Sequence, residues 1–342
     1  MFRVVFWPFL KINLWLLGTP YGEPKIHLRF FVLILLLSLM LLGELNFFVS
    51  RISLENFLEL TQLAPCICIG VLSILKISSL CMKRNKIFKL SNSLNLLYDN
   101  ILADNRKIEL VKYELGIINM LMKYFFVLNL ILITVYSFST LVLMAYHYFS
   151  TTEIVFRLPY AVLLPFSTDA WISWAGVYIH SVICGFICVL FYTTVDGLYF
   201  VLTSHVCGNF RVISDQIERI NANNAENLGE IVKSHQYILK LGEDLEDIFT
   251  APNLFNVLVG SVEICALGFN LTVNFITITF ILIAVSLLFI TSILLQILMM
   301  SVFGENLIRD VSTNTYTFTN VSNVLLSIVN RKLIRKPSID LK

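Results

Sequence analysis

Charge is what this chain has least of. Only 14% of its 342 residues are Asp, Glu, Lys or Arg, against roughly 25% in soluble domains. The formal net charge of +2 is uninformative about nucleic acid, but no stretch gathers one sign strongly enough to hold a polyanion, so no nucleic-acid partner is expected. Catalytic signatures are missing too. His27, His147, His180, His205 and His235 are scattered, with no pair at metal-ligand spacing on one helix. There is no glycine-rich phosphate loop, zinc-protease helix or nucleophile elbow. The seven cysteines fall in apolar runs or on the basic side of them, so no framework of extracellular disulfides is implied. Cys66 and Cys68 stand one residue apart; a redox or metal pair is one reading, and small apolar filler, the commoner role of buried cysteine, is the other. Neither an enzyme nor a cofactor is indicated.

What the chain does have is apolar sequence, 57% of it, and in blocks. Phe30–Val49, Leu60–Cys81, Phe125–Tyr146, Ile172–Thr203, Ala251–Leu271 and Phe275–Phe303 each reach the roughly 20 residues that cross a bilayer as a helix. Lipid offers the backbone no hydrogen-bond partners, so these blocks are expected as helices and not strands. The late run VSNVLLSIVNRKLI is too short for a seventh span. The opening MFRVVFWPFLKINLWLLGTPYG resembles a signal peptide in places. Lys11 interrupts its apolar run, however, and Gly18-Thr19-Pro20 is a turn, not a cleavage site. It reads as a retained segment, with Phe2, Trp7 and Trp15 suited to the membrane–water interface.

The basic residues orient the chain. With the amino terminus inside, Arg3, Lys11, Lys25 and Arg29 lie on the cytoplasmic side, joined by eight Lys and Arg between spans two and three. Arg211, Arg219, Lys233 and Lys240 follow between spans four and five, and six more lie in the tail. Only Arg51 and Arg157 fall outside, with Lys76 within a span. That asymmetry predicts cytoplasmic termini. The expected architecture is an all-α integral membrane protein with six transmembrane helices: residues 1–29 a cytoplasmic or interfacial segment, 30–303 the membrane domain, 304–342 a cytoplasmic tail.

The two basic loops carry helical seams. Ile87, Leu90, Leu94, Leu97 and Ile101, then Ile108, Val111, Leu115, Ile118 and Met122, fall at three- and four-residue spacing. So do Val206, Phe210, Ile213, Ile217 and Ile220, followed by Ile238, Leu241, Leu245 and Ile248. Turns are expected at Ala103-Asp104-Asn105 and Asn221-Ala222-Asn223-Asn224. Residues 83–123 and 204–250 therefore read as cytoplasmic helical extensions of the membrane domain, folded as hairpins whose seams pack within one subunit or, in part, between subunits.

Ionisable residues inside spans cost about 2.5–3.5 kcal/mol each at a helix centre and must face protein or water. Asp196 and Glu263 are the two candidates; each is either a hydrogen-bonded packing contact or part of an ion or gating path. Lys76 and Glu44 lie nearer span ends and are expected to snorkel. At the outer ends, Tyr146, His147, Tyr148 and Phe149 close span three while Trp171, Trp174 and Tyr178 open span four. Such residues are commonly interfacial belt; alternatively they line an apolar pocket with one or two polar anchors, as a small organic ligand requires.

Several stretches, in order, resemble the insect odorant receptor family. FLKINLWLLGTPYG is similar to the family's opening Leu-rich run. The region LPYAVLLPFSTDAWISWAGVYIH through VDGLYF to HVCGNF is similar to its fourth-helix region, KSHQYILKLGEDLEDIF to its acidic helix before span five, and FGENLIRD to its motif after span six. The resemblance implies a receptor subunit for a small volatile organic odorant, assembling with a coreceptor into a hetero-oligomeric, tetrameric, ligand-gated cation channel in the plasma membrane of olfactory sensory neurons. It also implies an outer-half ligand pocket, for which Met144, Tyr148, Trp174, Tyr178 and Phe280 are candidates by location alone. The family continues into a seventh, pore-lining helix. This chain stops at Lys342 before it, so the expectation is that it folds and binds odorant without supplying its share of a pore. Rival readings are a gustatory receptor of the same superfamily and a small-solute transporter, although no repeat relates the halves. A G-protein-coupled receptor would place its amino terminus outside, against the charge count. Asn270-Leu271-Thr272 is a sequon too close to the membrane to be an evident glycosylation site.

Overall fold

A computed structural model describes residues 7–19, 25–52, 57–220, 228–276 and 280–334. Eight helices run through them: α1 (Trp7–Leu17), α2 (Leu28–Ser50), α3 (Phe57–Met82), α4 (Arg84–Leu102), α5 (Asn105–Thr151), α6 (Trp171–Glu218), α7 (Leu228–Ile276) and α8 (Phe280–Ile334). No strand occurs among the described residues. Helices α2, α3 and α5 to α8 are long and apolar enough to cross a membrane; α2, α3, α5, α6 and α7 each contain one expected block, and α8, starting at Phe280, holds all but the first residues of the sixth. Their outward faces remain apolar: Phe31, Leu35, Leu39 and Leu42 on α2 and Val127, Ile131, Val135 and Phe138 on α5 are all exposed. A continuous apolar exterior of this extent is what hydrocarbon, and not water, would cover.

The basic loops are built largely from extensions of the spanning helices. Helices α5, α6 and α7 hold 47, 48 and 49 residues without a break. At 1.5 Å per residue that is about 70 Å, against a hydrocarbon thickness of roughly 30 Å. The seams are therefore the same helices continuing past the bilayer, with α4 the one separate piece. The turn at 103–105 is where expected. Asp104 caps α5, its Oδ1 accepting from the Arg106 N–H at 3.0 Å, which satisfies one of the free donors at a helix start. The turn expected at 221–224 lies outside the described residues.

Seam residues turn inward at the expected period. Ile87, Leu90, Leu94 and Ile101 are buried, as are Val111, Leu115 and Met122, Val206 to Ile217 at every seam position, and Ile238, Leu241, Leu245 and Ile248. Tyr98, Ile101, Val111, Leu115 and Val212 form a small core of their own among α4, α5 and α6. These contacts lie within one subunit. Asp247 of α7 reaches across to the α3–α4 junction, where it accepts from Lys83 at 3.1 Å and from Lys86 at 2.8 Å. The hydrogen bond to Asp247 holds the Lys86 ammonium above its ordinary pKa. Both partners are exposed, so solvent screens the pair and it orients the helices more than it stabilises them.

Helix α6 is the axis. It packs on all seven other helices, and every residue from Phe191 to Phe210 is buried. Helix α1 lies against it with Leu10, Leu14 and Leu17 inward, while Trp15 faces outward beneath the Arg29 guanidinium, 4.2 Å from its ring. Gly18 ends α1 in the left-handed region at φ 76°, and the Thr19 N–H bonds back to the Leu14 carbonyl at 3.1 Å. A side chain there would meet the Phe30 backbone N at 2.9 Å, so glycine is required for conformation and for space.

At the other end, the connection 152–170 folds into the bundle instead of lying over it. Pro159 and Tyr160 are buried. The Leu163 N–H donates to the Gly43 carbonyl at 3.0 Å, and the Trp174 indole N–H donates to the Arg157 carbonyl at 2.9 Å. Phe156 packs edge-on to Trp171 with centroids 4.8 Å apart. These contacts seat Tyr160 between α5 and α6.

Candidate functional site

Two features lie along the α6 axis. Nearer the 152–170 end is a largely enclosed cavity of about 40 Å³ among α2, α3, α5, α6, α8 and the inserted loop. Leu37, Leu132, Ile133, Val189 and Phe289 make it apolar, and Glu44, Asn129, Cys66, Tyr136 and Tyr160 supply its polar atoms. Two glycines make the room. A Cβ on Gly185 would stand 2.6 Å from both the Tyr160 hydroxyl and Ile133 Cδ1, and one on Gly70 would stand 3.3 Å from Leu41. Cys66, Tyr136, Tyr160 and Phe289 also line a wider recess of about 580 Å³ that opens between α3, α5, α7 and the loop. They thus form the wall between recess and cavity. The Cys66 thiol and Tyr136 hydroxyl are 2.9 Å apart, and the Tyr136 and Tyr160 rings are 5.3 Å apart at 31°.

The second feature is a polar cluster between α3, α6, α7 and α8. Lys76 Nζ donates to both carboxylate oxygens of Asp196 at 2.9 Å, with the two side chains 0% and 3% exposed. Gln296 Nε2 donates to Asp196 Oδ2 at 2.6 Å and to Asn256 Oδ1 at 3.1 Å, and Asn256 Nδ2 lies 3.4 Å from Asp196 Oδ1. The Tyr192 hydroxyl donates to Gln296 Oε1, and Lys76 Nζ sits 4.0 Å from the Tyr192 ring centre. Every formal charge here has an opposite charge and further hydrogen bonds, the condition under which an ion pair survives burial. On α3 the step from Cys66 to Lys76 is about 15 Å along the axis, so the cluster lies below the cavity, toward the basic end. Asn129 stands between the two features. It lines the cavity and accepts from the Ser292 hydroxyl at 2.9 Å.

The anticipated site residues divide accordingly. Asp196 is central to the cluster. Glu263 is buried at 2%, and its Oε1 bonds to no described residue. Lys76 and Glu44 do not snorkel: Lys76 is fully enclosed because Asp196 is its partner, and Glu44, 4% exposed, faces the cavity. Met144, Tyr148, Trp174, Tyr178 and Phe280 line neither cavity nor recess. Trp174 and Tyr178 stack at 5.2 Å and are tied by hydrogen bonds to Arg157 and Ser137, holding the loop to α5 and α6. Met144 Sδ accepts the Arg157 N–H at 3.5 Å, while Tyr148 and Phe280 are exposed. The cavity lies deeper than an outer-rim position suggests because the loop reaches down into the bundle. Asn129, Asn256 and Gln296 were legible as polar residues inside apolar runs, where bundle-facing hydrogen bonds are the rule. Asn270 is buried and exchanges hydrogen bonds with Thr61, from its Oγ1 at 3.0 Å and to its carbonyl at 2.8 Å, so its amide is already engaged.

The described residues thus form a helical bundle, six of its helices long and apolar enough to cross a membrane, around a small apolar-walled cavity. Residues 56–316 match the family described as 7tm odorant receptor, and the chain belongs to that family. Among Drosophila melanogaster proteins it is 24% identical to putative odorant receptor 92a over 91% of this chain and 78% of that one. It is likewise 24% identical to odorant receptor 67c, over 79% and 68%. The fold is shared with the olfactory receptor OR5 of Machilis hrabei, with TM-score 0.72, 15% identity and coverage of 92% and 87%. The same receptor in complex with eugenol matches at 0.71.

Proposed function

We propose that this chain is a ligand-recognising odorant receptor subunit that takes a small volatile organic molecule into the cavity bounded by Tyr136, Tyr160 and Phe289, and that with a coreceptor it forms a ligand-gated cation channel. The observation that carries the ligand half is the cavity: apolar, largely enclosed, with a few polar atoms, and reached from a wider recess through a wall of side chains. A structural neighbour whose complex holds eugenol supports the same reading. The channel half rests on family membership. Volatiles that raise the melting temperature of the purified chain in lipid nanodiscs support the ligand reading, and failure across a broad panel would refute it. Volatile-evoked cation currents that require both coreceptor and this chain are expected; binding without such currents confines the chain to recognition.

The proposed site of action is the plasma membrane of olfactory sensory neurons, with the basic ends of α5, α6 and α7 in the cytoplasm. The distribution of Lys and Arg supports that orientation. An epitope at residue 1 is expected to be reached by antibody only after permeabilisation; labelling of intact cells would invert the topology.

A further inference from the structure

Glu44 is an unusual wall for an apolar cavity. It sits on α2 next to Gly43, where the inserted loop is pinned by the Leu163 N–H, and it is 4% exposed. Its carboxyl makes no hydrogen bond to any described residue and faces the cavity. No Lys, Arg or His lines that cavity. A carboxyl in a membrane span without a partner is costly to keep; Asp196 is surrounded by Lys76, Gln296 and Asn256, and of the two buried carboxyls without such a shell, Glu44 and Glu263, only Glu44 lines the cavity. Glu44 has no such shell. The groups around it are instead aromatic. Tyr136, Tyr160 and Phe289 share the cavity, with Tyr136 5.3 Å from Tyr160 and 6.2 Å from Phe289 between ring centres. Both tyrosines lie within electrostatic reach of Glu44. The Tyr160 hydroxyl makes no hydrogen bond to a described residue either.

An acid facing a cluster of aromatic rings is the chemistry of a cationic nitrogen: the carboxylate supplies the counter-charge and the ring faces supply quadrupole attraction. Resting on the ligand cavity proposed above, we propose that the volatile recognised here is a small alkyl amine, its nitrogen hydrogen-bonded to Glu44 and its carbon chain against Leu37, Leu132 and Ile133. The proton balance requires no third reactant. The amine passes the apolar wall as the free base, the carboxyl O–H breaks as an N–H forms, and the complex has no net charge, so no uncompensated ion is placed in the bundle. A carboxylate ligand would find no cation to pair with, because no Lys, Arg or His lines the cavity. A divalent cation would find a single carboxylate, because no other acidic or imidazole side chain lines the cavity. The small volume favours amines of few carbons.

The test is ligand-dependent melting of the full chain in nanodiscs, with isobutylamine, 2-methylpropan-1-ol and butan-2-one as probes of nearly equal size. Isobutylamine is expected to bind at least about ten-fold more tightly than the other two, equivalent to about 1.4 kcal/mol. Glu44→Gln, which keeps the shape and removes the acid, is expected to abolish that preference, bringing amine and alcohol affinities to within about two-fold of each other; the conversion of melting shifts to affinities follows mass action. Wild-type protein that binds alcohol or ketone as tightly as amine would overturn the amine assignment and leave the cavity standing. So would retention of the amine preference by Glu44→Gln. No shift with any probe would count against the cavity itself, and the amine assignment would fall with it. Should Glu44→Gln melt before it can be measured, Glu44→Asp withdraws the acid by one methylene; it is expected to weaken amine binding selectively, and undiminished amine affinity in that variant would also overturn the proposal.

Discussion

Asp196→Ala is expected to destabilise the bundle by about 3–5 kcal/mol, because it leaves Lys76 as an uncompensated buried charge. The loss is compounded by what else leans on that carboxylate. Gln296 and Asn256 both donate to it, and a buried donor left unpaired costs about 1–3 kcal/mol. Native protein stability totals only about 5–15 kcal/mol, so the single variant should reach the cell surface poorly and melt far below the parent in detergent. Removing both charges is a different experiment. Lys76→Met with Asp196→Leu takes away the desolvation cost together with the attraction, and such replacements are often neutral or stabilising. The double variant should therefore recover most of the loss, short of the part owed to Gln296 and Asn256. Surface labelling and melting curves for the two singles and the double form a cycle that isolates the pair. Equal damage from single and double variants would show that the cluster matters as packing and not as a charge pair.

Gly185→Val should abolish the response to volatiles while leaving the protein folded. The new Cβ would fall 2.6 Å from the Tyr160 hydroxyl and from Ile133 Cδ1, closer than such atoms approach. Both are the far ends of side chains, so the structure yields by moving them, and the space into which they move, or from which valine displaces them, is the cavity. Crowding of this kind costs typically 1–3 kcal/mol in stability, which α6 can bear, buried as it is along most of its length. Ligand binding has no such margin in a cavity of about 40 Å³. A melting temperature within several degrees of the parent, with ligand-induced shifts gone, is the expected pattern. Unchanged ligand shifts would move the binding site elsewhere, the open recess between α3, α5 and α7 being the first alternative.

The spans were legible because lipid imposes a simple rule: about 20 apolar residues with no interruption, and in a chain this poor in charge nothing else produces such runs. The seams of the basic loops were legible for the same reason one level up. Ile238, Leu241, Leu245 and Ile248 repeat at the helical period and are all buried. Helix length was less visible. Composition changes near Ser204 and Thr250 as the chain leaves apolar sequence, and composition suggests an element boundary there. Nothing local breaks the helix, however, so α6 and α7 run on. Partners were harder still. Lys76 and Asp196 are 120 residues apart, and whether Lys76 reaches an end of the span or a carboxylate on α6 depends on how α3 is rotated, a property of tertiary packing. The cavity has none of the residues chosen by outer-half location in its lining because its depth is set by the segment 152–170, whose inward fold depends on Gly43, Gly185 and the backbone bond from Leu163.

The uninterrupted course of α6 makes it a strut. Gly185 borders the cavity and Ile213 belongs to the seam at the basic end, and the 28 residue steps from one to the other span about 42 Å of helix. Over that distance a tilt of about one degree at the ligand end displaces the other by roughly 0.7 Å. Because the surrounding side chains are close-packed and yield little, movement of that size is passed to α4, α5, α7 and α8 instead of being absorbed on the way. Occupancy of a space of a few tens of cubic ångströms can in this way be registered far from where the guest sits.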